Sequence, residues 1–590
     1  MIDVNKLFGR AETAFAAGRF AEARDCVRQV LRVVADDPAC YHLLALTEKR
    51  SGDAAAADRA FGQALALAPR DPQINNNYAN LLDETGRTDL ALIHYDKALA
   101  ANPRHADALF NRGLIAQRSG RADDALRDYD AVLEIERGSV RAHSARGSVL
   151  RNLTRFAEAA AAYDAALALA PNHARALDGR ARVALEVGEP DAAARFERAL
   201  VAQPGAPHLV IGMAEALEAE GDSRALSYLT AAVAARPDWI EGQERLAAMR
   251  AENADPDHFA RGFVEALARD PRNRALHVGH WRALARAGRH DEALAALNGA
   301  AYRFADDYDT QLMRAVFVGE AGDAARACDL LKPLGDAVEV RTVQGRMALR
   351  LGEPEAAAKL LEGVVAERPD DIAAWAQLGL AWRIAGDDRH AWLCEQPGLF
   401  GTLALDVDDD ALAALAARLR TLHRTRAHPI GQSLRGGTQT RGRLFWRSEP
   451  EIVALRDAIT VAVRRFADAL PPADDAHPLL RHRDRSLAFA GSWSVRLSKS
   501  GFHVNHIHPH GVLSSACYIA LPESLGGQGG TDGWLELGAA PVELGLAVGP
   551  LAVLEPRPGR LALFPSYLYH GTRPFSSGER LTVAFDLAAT

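Results

Sequence analysis

Gly18, Gly52, Gly86 and Gly120 stand 34 residues apart, Thr154 holds the next place, and Gly188 resumes the series. The register then loosens but continues through Gly221, Gly288, Gly322, Gly352 and Gly386, each followed by Asp, Glu or Arg. Five residues after the turn position an alanine recurs, as at Ala23, Ala57, Ala91 and Ala125. Nine residues after it come Phe61, Tyr95, Tyr129 and Tyr163, and seventeen after it come Pro69, Pro103, Pro171 and Pro369. A chain with such a period folds as stacked copies of one small unit, not around a single core. Each element has a physical task. Glycine allows the positive φ of a turn between two helices, alanine lets the helices approach closely, the aromatic fills the gap to the next unit, and proline ends the second helix.

This pattern resembles the tetratricopeptide repeat over residues 3 to 395, about a dozen helix-turn-helix units. The resemblance implies a superhelix whose concave groove, lined by first helices, holds an extended protein or peptide partner. Asn77, Asn111 and Gln377 stand nine residues before a turn glycine, where a first-helix side chain faces that groove. An amide there can hold a peptide backbone through both its donor and its acceptor, although asparagine is also simply common at that place. The pattern is poorest near 240–265, around AENADPDHF, which predicts one irregular unit or a bend.

The composition fits a chain of several packed domains. It has 590 residues, 48% hydrophobic and 25% charged, with a formal net charge of −8. So mild a charge gives no support for nucleic acid or an anionic membrane as partner. The first twenty residues mix charge into every turn and predict no secretory signal, and no stretch approaches the ~20 apolar residues of a membrane span. Cys26, Cys40, Cys328, Cys394 and Cys517 are scattered without a CxxC pair and read as buried thiols in a reducing cytoplasm.

After residue 395 the texture changes. Helical periodicity persists in DALAALAARLRTLH from Asp410 and PEIVALRDAITVAVRRFADAL from Pro450, with a polar, glycine-rich loop between them. From Ser486 onward short strands alternate with Gly and Pro clusters, which predicts an antiparallel barrel or double-sheet jelly roll. The expectation is an all-α superhelix, 1–395, followed by an α+β domain, 396–590, whose jelly-roll core occupies about 486–590.

Four histidines fall within eight residues: His503, His506, His508 and His510. In a strand, residues two apart share a face, so His506 and His508 can present two imidazoles to one ion. His570, 62 residues after His508, can return beside them, and Arg580 follows ten positions later with Thr582 on its face. His510 can replace His506 by a two-residue slip, although Pro509 disrupts the strand between His508 and His510. His503 and Asn505 fall on the opposite phase, as structural residues or hydrogen-bond partners of the ligands.

The constellation resembles the iron(II)- and 2-oxoglutarate-dependent dioxygenases, with their His-x-Asp/Glu, distant His and Arg-x-Ser/Thr. More narrowly, NHIHPHGVLSSACYIALP, GRLALFPSYLYHGTRPF, GERLTVAFDL and QSLRGGTQT look like a bacterial subgroup in which such a domain follows tetratricopeptide repeats. That resemblance implies Fe(II) held by His506, His508 and His570, with Arg580 binding the far carboxylate of 2-oxoglutarate and Thr582 assisting. It implies hydroxylation of a substrate, taken to be a protein or peptide on the repeats. One departure stands out. Histidine replaces the ligand carboxylate, which leaves the site one unit more positive and suits iron, zinc or copper. Two other readings compete: an interaction scaffold whose jelly roll binds metal or ligand without turnover, and a cupin-type enzyme that needs no 2-oxoglutarate. Asp532 and Glu536 read as solvated charges, Trp493 and Arg496 as packing residues, and Gly526 to Gly530 as a flexible loop.

Overall fold

The computed structural model describes residues 3–253, 255–300, 307–441, 443–523, 525 and 530–590. Helices follow one another in pairs from Val4–Ala16 to Arg389–Cys394. Two first helices, Pro38–Arg50 and Pro72–Glu84, open on an Asp-Pro step, where the aspartate caps free backbone N–H groups and proline sits where no N–H is needed. Asp71 Oδ1 accepts from the Ile74 N–H at 2.8 Å ahead of the helix Pro72–Glu84. The turn glycines take the positive φ expected of them, 72° at Gly18 and 79° at Gly86. Thr154, in the same place, is forced to φ 60°. A β-branched residue is strained there, so Thr154→Gly is expected to raise stability by about 1 kcal/mol, net of the flexibility glycine adds to the unfolded chain. Chemical denaturation of the two proteins measures it.

The recurring aromatics also do what the spacing predicts. Tyr163 is 2% exposed and lies so close to Gly147 and Gly179 that a Cβ on either would meet its ring, at 2.9 and 2.1 Å. Between 240 and 270 the repeat is irregular: the helix Ile240–Asn253 is followed by a short one, Arg261–Arg269.

Two compact units form. One comprises residues 1–184 with 198–204, the other 185–197 with 205–590. In the second, the change of character at 395 does not interrupt the packing. One hydrophobic cluster runs from Val338 through Trp375, Trp382 and Leu393 to Leu513, Phe564 and Leu587. After the six-residue helix Arg389–Cys394 the chain enters a sheet. Its strands are β1 (Gly401–Ala404), β2 (Leu434–Gln439), β3 (Leu487–His506), β4 (Leu513–Ala520), β5 (Leu535–Leu537), β6 (Ala552–Leu554), β7 (Arg560–Pro565), β8 (His570–Thr572) and β9 (Glu579–Ala589). All pairings are antiparallel, in the order β1-β7-β4-β9-β3-β8-β5-β6, with β2 also on β3. The helices Asp409–Leu422 and Pro450–Asp468 match the two amphipathic segments. The loop expected between them is partly strand: β2 forms from LRGGTQ, and its pairing with β3 shifts register between Arg435 and Gly437, with φ 69° at Gly436. The result is a tetratricopeptide array followed by a nearly closed antiparallel jelly roll.

His477 illustrates how the junction is held. Fully buried, its Nε2 lies 3.2 Å from the Leu393 carbonyl oxygen, and its Nδ1 accepts from the N–H groups of Leu479 and Leu480 at 3.1 Å. This pattern requires a neutral ring, and burial pushes its pKa down to about 4. The unfolded chain therefore binds a proton that the folded one refuses. Stability present above pH 6.5 is expected to fall as pH drops toward 4, by up to about 3 kcal/mol from this group. Melting curves should show a shallower acid slope in His477→Asn. Among the described residues no helix is long and apolar enough to cross a membrane.

Candidate metal centre

His506 closes β3, His508 follows just beyond it, and His570 opens β8, where it is the direct register partner of His506. Their potential ligand nitrogens all lie within 4.8 Å of one another. Each ring is turned by an acceptor at Nδ1: Val504 O at 2.9 Å for His506, Leu568 O at 3.1 Å for His570, and Asp586 Oδ1 at 2.5 Å for His508. An Nδ1 facing an acceptor carries the hydrogen, which leaves the three Nε2 lone pairs to converge. The Nε2 atoms of His506 and His508 are 3.0 Å apart. Two lone pairs that close repel unless a cation lies between them, and the spacing suits neighbouring ligands about 2.1 Å from one ion. Burial pushes the His506 pKa down to about 3 and that of His570 well below its ordinary value, so these two rings are in the neutral form that binds metal.

The other histidines divide. His510 is exposed in a turn, outside the cluster. Asn505 points away and donates to Ala540 O at 3.3 Å. His503 is a correction to simple alternation. It stands three positions before His506, yet their partners on β8, Thr572 and His570, are two apart, so a bulge brings both imidazoles to one side. Their rings stack with centroids 5.8 Å apart, and Ser433 Oγ bridges them, 3.0 Å from His503 Nδ1 and 3.1 Å from His506 Nε2.

Arg580 and Thr582 line the same pocket, as their shared face on β9 requires. Arg580 is 2% exposed. Its Nη1 donates to Thr572 Oγ1 at 3.2 Å and its Nε has no hydrogen-bond partner among the described residues. No described carboxylate pairs with it. Burial pulls its pKa below the arginine range, against the pull of the neighbouring Tyr518 hydroxyl. The pocket takes its walls from β2, β3, β4, β5, β7, β8 and β9, which only a curled sheet can bring together. Trp493 lines it too, its ring 5.5 Å from that of His508, instead of merely packing as expected. Arg496 pairs with Glu579 at 2.5 Å, and Glu536 with Arg573 at 2.5 Å, while Asp532 is exposed. Of the glycine loop, residues 526–529 lie outside the described residues.

Ser433, Thr572 and Asp586 were not singled out from the sequence. Two had a signal in strand phase. Thr572 is two residues from His570, and Asp586 continues the face of Arg580, Thr582 and Ala584. Ser433 had only its place in the QSLRGGTQT stretch, because it reaches the centre from the strap of residues 424–433 that precedes β2. That strap is anchored on later repeats: Arg424 Nη1 donates to Ala219 O at 2.6 Å, the N–H groups of Arg426 and Ala427 to Glu252 O at 3.1 and 3.0 Å, and Ile430 packs beside Ala247 and Ala283. Just past β2, Arg441 pairs with Glu218 at 2.8 Å and with Glu252. At the last full repeat Arg383 donates to the carbonyls of Gly538 and Gly549 at 2.9 and 2.8 Å.

The three groove candidates also divide. Asn77 Nδ2 is 2.9 Å from His42 Nε2, and Asn111 Nδ2 donates to Asn80 Oδ1 at 2.9 Å and to Asn76 Oδ1 at 3.4 Å, so half-buried amides link successive first helices. Gln377, expected on an open groove, is 6% exposed. Its helix, Ile372–Ala385, is the one whose Arg383 is bonded to the jelly roll.

Comparison with known proteins finds matches in both the repeats and the sheet-forming part of the chain. Residues 491–586 match the family described as "Putative 2OG-Fe(II) oxygenase". Tetratricopeptide-repeat families match residues 42–102, 86–140, 342–388 and 140–173. No curated protein matches the chain. Similar solved structures include a tetratricopeptide repeat protein from Parabacteroides merdae, 22% identical, covering 41% of this chain and 97% of that one, TM-score 0.32. Another is the C-terminal part of a repeat protein from Cytophaga hutchinsonii, 18% identical over 46% and 98%, TM-score 0.31. A third is YrrB, described as a TPR protein with an unusual peptide-binding site, 23% identical over 31% and 95%, TM-score 0.29. The chain therefore carries tetratricopeptide repeats and, over residues 491–586, a domain that matches the family described as "Putative 2OG-Fe(II) oxygenase".

Proposed function

We propose that residues 396–590 form an iron(II)- and 2-oxoglutarate-dependent oxygenase that hydroxylates a protein or peptide, and that the repeats of residues 3–184 engage this substrate. The observation that carries the reading is Arg580: a buried guanidinium without an acid among the described residues, in the pocket where three Nε2 lone pairs converge. A charge so placed calls for an anionic ligand, and a dicarboxylate that reaches both the guanidinium and the ion supplies one. Iron(II) with 2-oxoglutarate, when bound, supplies oxidative decarboxylation coupled to hydroxylation of a C–H bond.

The chain's own residues bind and orient. His506, His508 and His570 hold the ion. Arg580 fixes the far carboxylate, with Thr572 holding the guanidinium in place and Thr582 offering a hydroxyl beside it. Trp493, Phe564 and Leu535 give the pocket apolar walls that limit water. Asn77 and Asn111 offer amides to a peptide backbone, and unpaired cysteines suit a reducing cytoplasm.

Anaerobic titration of the iron(II) protein with 2-oxoglutarate tests the reading, through the visible charge-transfer band of the chelate. A saturable band is the expected result. Confirmed iron without a band would leave the scaffold or the cupin-type enzyme.

A further inference from the structure

We infer that Asp586 restores, through His508, the negative charge that the ligand set lost when histidine took the place of a carboxylate. The inference rests on the metal site proposed above. Asp586 lies on β9, six residues after Arg580 and on the same face, paired in register with Ser514 of β4 and Gly491 of β3. It is 9% exposed. Its Oδ1 is 2.5 Å from His508 Nδ1 and accepts from Ser514 Oγ at 2.8 Å, and Ser514 Oγ is in turn 2.9 Å from Ser566 Oγ. Among the described residues no arginine or lysine pairs with it, so the carboxylate has one titratable partner, His508.

The asymmetry among the three rings gives the contact its meaning. His506 and His570 direct Nδ1 at neutral backbone carbonyls, whereas His508 directs its own at a carboxylate. A carboxylate on Nδ1–H makes the imidazole a stronger, partly anionic donor at Nε2. The charges then balance. A divalent ion and the Arg580 guanidinium carry three positive charges, and a dianionic co-substrate with the Asp586 carboxylate carries three negative ones. Without Asp586 the pocket would hold one uncompensated positive charge out of water. Asp586 is thus a positioning residue that also sets the charge of the centre. The ligand replacement at His508 moves the carboxylate one residue outward and does not abolish it.

The test compares Asp586→Asn, Asp586→Glu and the unaltered full chain. Asparagine keeps an acceptor for His508 Nδ1–H and removes only the charge, while glutamate keeps the charge. Metal binding is read by titration with cobalt(II), following the ligand-field bands, and the Fe(III)/Fe(II) potential by spectroelectrochemistry of the iron-loaded protein. Asp586→Asn is expected to weaken cobalt(II) binding about 10- to 100-fold. It should also raise the potential, because loss of a nearby negative charge favours the ferrous state. Asp586→Glu should stay near the unaltered protein in potential. Equal affinity and potential in Asp586→Asn and the unaltered chain would overturn the inference, as would an Asp586→Glu potential matching that of Asp586→Asn. Failure of the metal site itself would look different: the unaltered chain would show no cobalt(II) bands. Should Asp586→Asn not fold, judged by its melting curve, the neutral and smaller Asp586→Ser takes its place, with the same expected rise in potential and the same overturning result.

Discussion

Arg580→Ala is expected to abolish binding of 2-oxoglutarate while leaving the metal in place. Two charge-assisted hydrogen bonds to a carboxylate, each worth about 1.5–3 kcal/mol, correspond to a loss of roughly 10²- to 10⁴-fold in affinity. The side chain takes no part in the histidine cluster, so cobalt(II) or iron(II) binding should be unchanged. A second, opposite effect separates this role from ordinary packing. In the ligand-free protein Arg580 is a buried cation lacking a carboxylate, with its Nε unpartnered. An apolar side chain of similar length relieves that cost, so Arg580→Met is expected to melt above the unaltered protein without co-substrate. The order should reverse at saturating 2-oxoglutarate, which stabilises only the form that binds it. Calorimetric titration and melting curves measure the two halves, and an Arg580→Ala protein that binds the co-substrate normally would sink the assignment.

His570→Ala is expected to remove the metal itself. His570 is 5% exposed, is packed against Phe564 with ring centroids 4.5 Å apart, and is held by its Nδ1 contact to Leu568 O. It comes from β8 while the other two ligands lie at the end of β3, so no neighbouring imidazole can slide into its place. His503 is the nearest replacement in kind, but its Nδ1 is engaged with Ser433. Loss of one of three ligands should lower metal affinity by at least two orders of magnitude and reduce turnover to background. Equilibrium dialysis and product assay on the same sample check both. A His510→Ala control should keep both, since His510 is exposed in a turn.

Much of this was legible in the chain. The 34-residue period predicts helix pairs because turn, contact and gap-filling residues recur in one phase. That His506, His508, His570, Arg580 and Thr582 would meet in one pocket could be read because strand alternation and family spacing agree. What the sequence concealed was set by tertiary register. A bulge in β3 moved His503 onto the side of His506, and a register shift beside Gly436 turned an expected loop into β2. Gln377 sits where an open groove was expected, yet its helix is bonded to the chain's own jelly roll, a docking that no local pattern encodes.

The strap of residues 424–433 bears on how far this chain is modular. Read in order, the sequence invites a cut at residue 395, with a reader on one side and a catalyst on the other. The pocket does not respect that cut. Ser433 reaches His503 and His506 only because the preceding residues rest on Ala219, Ala247, Glu252 and Ala283, all carried by repeats. An insertion or deletion in those repeats is therefore also an edit of the pocket that holds the histidine cluster. Inheritance and engineering alike must carry residues 205–590 as one piece.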